Sequence, residues 1–419
     1  MSVRPPEMPL PGWALRLGAT AGGRLPMPEG RLLALMAGPT AAGDIDRAVR
    51  YWRARGTDGL VSLSQGTQLV VGHSAAFQVL RHPDAGNSRD LVDPTPPTGA
   101  YDRLGRHSIA YLDGPDHRRL RRLVSPHLDA AAAADRSESI RATVRARLTE
   151  LGDPASGSFD VMEEIVVPVV ASLVGDLCGI PAGDRRRVSE WMAPAERRWR
   201  RTPFVGPRLR RRSDAGLESF GEWLPRVAAR GELDDGVFKT LAAEREVGHD
   251  ATIGTAFFVY GAARVTVERF LGSAVRALAE AGPKLGEWPP RVTPELIDEV
   301  LRWDPPAAVA ARVTKADLTL GSTEIPAGTQ LVVLMRVVNR DPATFDDPDT
   351  FRPDRDPNPH LAFSAGAHFC LGAPLARVEG SVVPEELLGW LGPARVRRRP
   401  TEGVGLPHRP LTRLMVSRR

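Results

Sequence analysis

One run of ten residues constrains the fold of this 419-residue chain more than any other: Phe363-Ser364-Ala365-Gly366-Ala367-His368-Phe369-Cys370-Leu371-Gly372. It sets a single cysteine in a glycine-flanked loop, just ahead of a helix-forming stretch from Ala373 to Leu388. Gly366 and Gly372 carry no Cβ, so the backbone can turn sharply and something flat can lie against it. A thiolate at Cys370 would point outward, with amides of the loop and of the helix start near enough to stabilise its charge. That is a seat for a soft metal. A lone cysteine is more often an ordinary buried residue, and here the flanking pattern tips the balance.

That pattern resembles the haem-ligand loop of the cytochrome P450 family: a phenylalanine, two glycines, a histidine two before the cysteine, then Leu375-Ala376-Arg377 and Glu379. The residue after the phenylalanine is usually glycine and here is Ser364, which is expected to fit with a negative φ and to tune the loop. The resemblance runs from about Tyr51 to Val416. It implies a mainly α fold, a helical prism with small β-sheets and haem b held between a central helix and the cysteine loop. It also implies a monooxygenase that inserts oxygen from O2 into an organic small molecule. Cys370 would be the axial metal ligand, with Phe363 and Gly372 beside the cofactor. Electrons would come from a separate ferredoxin or flavodoxin and its reductase. The Arg-, Ala- and Pro-rich composition resembles that of high-GC bacterial members, many of which tailor natural products such as antibiotics.

Composition narrows the alternatives. With 42% hydrophobic residues the chain can bury a large core, and its net charge of +5 leaves surface for acidic partners. Aromatics are sparse at 6% and no nucleic-acid-binding motif occurs, so no nucleic-acid partner is expected. Two cysteines, Cys178 and Cys370, exclude a disulfide framework and suit a reducing cytoplasm. The N-terminal residues lack an apolar core of signal-peptide length. The longest apolar stretch, Ala251 to Ala263, is too short to span a bilayer. A cytoplasmic monomer with no membrane segment is the expectation.

Residues 1–45 are rich in Pro and Gly and read as an irregular lead-in, with a single haem domain over 46–419. Val61 to Val71 alternates like a hairpin, and Ala75 to Arg81 reads as a short helix. Asp84 to Asp116 is turn-rich, a long loop suited to covering a substrate. Helical periodicity then covers Asp129–Leu151, Phe159–Cys178, Asp184–Trp199 and Leu217–Ala229. Ala251 to Ala281, apolar on nearly every face in its first half, predicts a helix through the centre of the molecule. Strands are expected at Leu318–Leu320 and Leu331–Val338, with an irregular Asp- and Pro-rich meander from Asn339 to Asn358.

Several constellations bear on chemistry. Glu299 and Arg302, three apart after Thr293-Pro294, lie on one helical face and can pair; alone they would count as a surface ion pair. The resemblance adds Arg355 and implies a buried Glu-Arg-Arg latch behind the cysteine loop. His117 and Arg121, four apart, can reach one anion, and the resemblance assigns them, with Arg312 and His368, to haem propionates. On the central helix the family shows a small residue, glycine, any residue, an acid and threonine. Here the run is Ala262-Ala263-Arg264-Val265-Thr266, and no Asp or Glu occurs between Ala251 and Val267. The resemblance makes Thr266, Ala262 and Ala263 the catalytic candidates: Thr266 would orient the oxygen-bound water in a proton relay that lacks its usual acid, and Ala262 and Ala263 would leave space beside the iron.

Three routes stand open for the missing proton donor: a substrate hydroxyl or carboxyl, waters tied to Thr266 or Arg264, or peroxide-driven or rearrangement chemistry. A non-catalytic haem-binding sensor or recruitment module also stands as an alternative. The small residues from Pro306 to Ala311 would line the pocket. The arginine-rich stretch Asp184 to Arg212 reads either as a solvated face or as a surface for an acidic substrate or an acidic carrier protein.

Overall fold

The computed structural model describes residues 49–63, 66–87, 97–153, 158–201, 205–281, 292–397, 401–402 and 411–418. The expected lead-in, residues 1–45, lies outside them. The first elements are β1 (Leu60–Ser62), β2 (Thr67–Val70), α1 (His73–Arg81), β3 (Ala85–Gly86), α2 (Ala100–Arg106), α3 (Gly114–Val124), α4 (Ala130–Asp135) and α5 (Ser137–Leu151). Next come β4 (Ser158–Asp160), α6 (Val167–Cys178), α7 (Arg185–Arg201), α8 (Pro207–Ala229), α9 (Val237–Ala243) and α10 (His249–Ala281). After these lie α11 (Pro294–Trp303), β5 (Val309–Thr314), β6 (Leu318–Leu320), β7 (Thr323–Ile325), β8 (Gln330–Leu334) and α12 (Met335–Val338). The chain ends with α13 (Ala373–Leu391), β9 (Ala394–Val396), β10 (Thr401–Glu402), β11 (Leu411–Arg413) and β12 (Met415–Arg418).

Helix α10, 33 residues and so roughly 50 Å long, runs through the main apolar core. Helices α2, α6, α7, α9, α11 and α13 all pack on it. The approach of α2 is close enough to require glycine, because a Cβ on Gly254 would lie 2.1 Å from the carbonyl oxygen of Leu104. The largest sheet, in order β1-β2-β8-β5-β3, sits to one side over a separate apolar cluster. Its β5–β8 pairing carries Arg312 opposite Leu331.

Five expected elements differ, the first being the helix expected over Leu217–Ala229, which as α8 begins ten residues earlier at Pro207. The turn-rich stretch Asp84–Asp116 contains β3 and α2, because Tyr101 and Leu104 bury against the core. Asp129–Leu151 is two helices divided at Arg136, each with its own start; Asp129 Oδ1 accepts the Ala132 amide to cap the first. Phe159–Cys178 opens as β4 and passes through a wide helical turn, Met162–Val166, before α6. Leu331–Val338 is strand only to Leu334; its last four residues coil into α12, a distinction that a uniformly apolar run does not encode.

Candidate functional site

The cysteine loop closes on itself. The Cys370 amide donates to the Phe363 carbonyl at 2.9 Å, Phe369 to Gly366 at 3.0 Å and Ser364 to Leu361 at 2.8 Å. Gly366 has φ +72° and lies against α1, where a Cβ would come within 2.6 Å of the Leu80 carbonyl oxygen. Ser364 corrects the expectation of a negative φ: it takes +62°, the conformation glycine would adopt. A left-handed serine costs about 1–2 kcal/mol, and its Oγ lies 3.5 Å from Arg312 Nη2, too far for a strong bond. The serine stores strain in the cysteine loop.

Cys370 is solvent-accessible, yet burial pushes its thiol pKa up. A sulfur on the floor of a concave seat satisfies both observations. Amides of Gly372 and Ala373 donate to it, and the charges of Arg121 and Arg377 act in the same direction, favouring the thiolate against burial. Phe369, the residue before it, stands 43% exposed. Phe363 is buried behind, edge-on to Phe369 and covered by the Arg377 guanidinium.

Around this seat α3, β5 and the loop bring the predicted cationic residues together. His117 and His368 stack with ring centroids 4.1 Å apart. Burial, reinforced by the charges of His368 and Arg121, pushes His117 down to about 4. Arg121 Nη1 donates to the Phe369 carbonyl at 2.9 Å. Arg312 is 3% exposed, and burial lowers its pKa to about 10. Its Nη1 donates to the Ala311 carbonyl at 2.8 Å. Among the described residues neither Arg121 nor Arg312 forms an ion pair, and the nearby carboxylate, Asp113, bonds His368 and Lys315. A buried guanidinium without a counter-ion is costly. The donor set therefore suits a flat apolar ligand with an anionic edge and a soft metal, which is the chemistry of haem.

On α10, Ala262, Ala263 and Thr266 share one face, with Thr266 about 40° from Ala262 around the helix and about 60° from Ala263. The Thr266 hydroxyl donates to the Ala262 carbonyl at 2.7 Å, so its oxygen is left to accept. Arg264 is not part of this face. About 160° away from Thr266, it bonds Glu268 at 3.1 Å, Ser189 Oγ at 2.8 Å and the Tyr260 hydroxyl at 3.2 Å. Glu196 Oε2 lies 3.7 Å off, and Arg200 closes the group on Glu268 at 2.6 Å. This cluster ties α7 to α10 and removes Arg264 from the candidate water relay. Val265 is 2% exposed, packed where the family's acid would stand.

Glu299, Arg302 and Arg355 meet as the latch pattern implies. Thr293 Oγ1 caps α11 by accepting the Leu296 amide, with Pro294 at the first helical position. One turn on, Glu299 accepts Arg302 Nε at 2.6 Å and Nη2 at 2.8 Å, and Arg355 Nε at 3.1 Å. Neither Glu299 nor Arg302 has measurable exposure. The same guanidinium groups donate to carbonyls of Asn339, Asp346, Asp347, Pro348 and Thr350, pinning the irregular meander that leads to the cysteine loop.

Sequence reasoning missed the Arg264–Glu268 cluster and also a buried ion cluster around Asp304. Asp304 accepts two bonds from Arg269 Nη2, at 2.8 and 2.6 Å, one from Ser273 Oγ at 2.7 Å and one from Arg336. A signal was present: an aspartate just past the C-terminus of α11 opposes the helix dipole unless cations meet it. The arginine-rich stretch divides in two. Arg185, Arg198 and Arg200 pair with Asp176, Asp102 and Glu268, whereas Arg197, Arg208, Arg211 and Arg212 stay exposed. Pro306, Ala307, Val309, Ala310 and Ala311 are half-buried. No helix among the described residues is long and apolar enough to cross a membrane.

Comparison with known proteins agrees with this geometry. A family profile described as Cytochrome P450 matches residues 291–389. Cytochrome P450 126 of Mycobacterium tuberculosis is 33% identical over 353 residues, covering 79% of this chain and 82% of its own. Erythromycin C-12 hydroxylase of Saccharopolyspora erythraea is 31% identical over 69% of this chain and 74% of its own. Among solved structures, that of CalO2 aligns with a TM-score of 0.80 at 25% identity, covering 90% of this chain and 96% of that one.

Proposed function

This chain belongs to the cytochrome P450 family, a haem b monooxygenase, and we propose that Cys370 is the thiolate that holds its iron. The observation that carries the assignment is the accessible sulfur flanked by two donating amides and by the charges of Arg121 and Arg377. His117, Arg121, Arg312 and His368 would hold the propionates, with Phe363, Phe369 and Gly372 against the ring. Bound haem supplies iron at which dioxygen is activated for insertion of one atom into the substrate. Replacing Cys370 by serine should abolish the ferrous carbon-monoxide band of a thiolate-ligated haem. An unchanged band in that variant rules the assignment out.

The chain's own residues then handle protons and substrate. Thr266 commits its hydroxyl proton to Ala262, so its lone pairs can accept a hydrogen bond and orient a water or a substrate hydroxyl. Ala262 and Ala263 keep that face open. With valine at 265, Arg264 turned toward α7 and Arg269 bound to Asp304, no carboxyl group of α10 between Ala251 and Val267 stands ready to supply a proton beside Thr266. A hydroxyl or carboxyl of the substrate fills that role in our reading. General acid assistance contributes about 10²–10⁴-fold in rate, so Val265→Asp should raise product formed per reductant consumed on substrates lacking such a group. If coupling is unaltered by that substitution, the substrate-assisted relay is wrong.

The substrate we assign is a small natural-product scaffold, consistent with the hydroxylase relative, admitted past the small residues 306–311. Reductant would come from a separate ferredoxin or flavodoxin system. The exposed Arg197, Arg208, Arg211 and Arg212, set where α7 and α8 meet, favour an acidic substrate or one borne by an acidic carrier protein. Substrate affinity should therefore weaken steeply as salt is raised. Affinity indifferent to ionic strength eliminates that preference.

A further inference from the structure

We propose that Asp113 is a positioning residue for the anionic edge of the cofactor, acting through His368; the inference rests on reading the cationic cluster as the seat of the propionates. Asp113 occupies the N-cap of α3, where an aspartate ordinarily accepts a bond from the second or third helical amide. Its side chain makes no such bond. Both oxygens turn away from the helix instead. Oδ1 accepts from His368 Nε2 at 3.0 Å, while Oδ2 accepts from the Asn87 amide at 3.0 Å and from Lys315 Nζ at 3.1 Å. The helix start forgoes the stabilisation of a side-chain cap so that this carboxylate can serve elsewhere.

Three segments remote in sequence converge on it: the residue after β3, the residue after β5 and the loop ahead of Cys370. Gly86 makes the room, since a Cβ there would lie 2.2 Å from Lys315 Cε and 2.6 Å from Asp113 Oδ2. Burial works against the charged form, yet the bonds from His368, Lys315 and the Asn87 amide hold the Asp113 carboxyl well below the usual carboxylate range. The acceptor stays ionised. The consequence is a fixed ring: His368, gripped at Nε2, lies stacked on His117 beside Arg121 and Arg312. Without Asp113 the imidazole is free to rotate, and Lys315 becomes an unpaired cation within a cluster already rich in positive charge. Oriented groups behind a ligand shell of this kind typically matter by about 10–100-fold in affinity.

Asp113→Ser separates positioning from capping. Serine caps a helix about as well as aspartate, but it is too short to reach His368. Asp113→Asn keeps an acceptor oxygen at the same reach. We expect D113S to retain wild-type helicity and yet to transfer haem to apomyoglobin about 10-fold faster. In protein labelled with ¹⁵N-histidine it should lose the hydrogen-bonded Nε2–H resonance of His368, whereas D113N should keep that resonance and recover most of the haem retention. A D113S variant with wild-type haem transfer and an intact resonance overturns the proposal, as does a D113N variant that sheds haem as fast as D113S. Wild-type protein that takes up no haem would instead defeat the reading of the cluster, and the resonance would still report whether Asp113 orients the ring.

Discussion

Alanine at position 299 is expected to cost about 3–5 kcal/mol of stability, the usual penalty for removing one partner of a buried ion pair. The magnitude follows from what remains behind. Arg302, with no exposure, and Arg355, 4% exposed, would both be left charged in the interior without a carboxylate. The Arg352 amide and Asn358 Nδ2, which donate to Glu299 at 2.7 and 3.2 Å, would lose their acceptor as well. The guanidinium groups then have reason to swing toward water, releasing the meander carbonyls they pin. Because that meander leads directly into the cysteine loop, haem content should fall with stability. The measurement is haem absorbance per protein together with a urea midpoint. An alanine variant with wild-type haem content and midpoint would falsify the latch.

An effect of similar size, about 3–5 kcal/mol, is expected for Asp304→Asn, which preserves shape but removes the charge that two buried arginines share. Asparagine would also turn an amide donor toward guanidinium donors. Burial alone would push the Asp304 carboxyl up, but Arg269 and Arg336 outweigh it and hold the pKa well below the usual range. The sign of the pH dependence follows. The unfolded chain has an ordinary aspartate of about 3.9 and the folded one a lower value. The stabilisation is therefore complete above roughly pH 4 and is lost as pH falls toward the folded pKa. The wild-type advantage over D304N in urea midpoint should be large at neutral pH and should shrink progressively in acid below that point. An advantage that stays constant into strong acid, or none at neutral pH, would exclude a charge role for Asp304.

The parts legible in the sequence are those whose geometry is local. The helix expected from Ala373 to Leu388 forms and runs on to Leu391, Thr293 caps Pro294–Trp303, and the glycine spacing around Cys370 describes a turn complete within ten residues. The latch pair Glu299–Arg302 is three apart on one helix and needs no tertiary information to meet. Ser364 shows where local reasoning stops. Its sequence permits either sign of φ, and the positive value is imposed by a loop that must close against α1.

The sequence by itself pointed to the family, through the short motif around Cys370, and through that resemblance to Thr266 and to His117, Arg121, Arg312 and His368 as candidates. Only the tertiary structure decided which way the remaining charges face. Arg264 points toward α7, Asp304 gathers cations from α10 and α12, and Asp113 abandons its own helix for His368 and Lys315. The physical reason is that a buried charge must find its partner wherever packing brings one. Arg264 meets Glu268 and Tyr260 within the helical period, but the other partners lie 35, 32, 75, 202 and 255 positions away, beyond the reach of any periodic pattern.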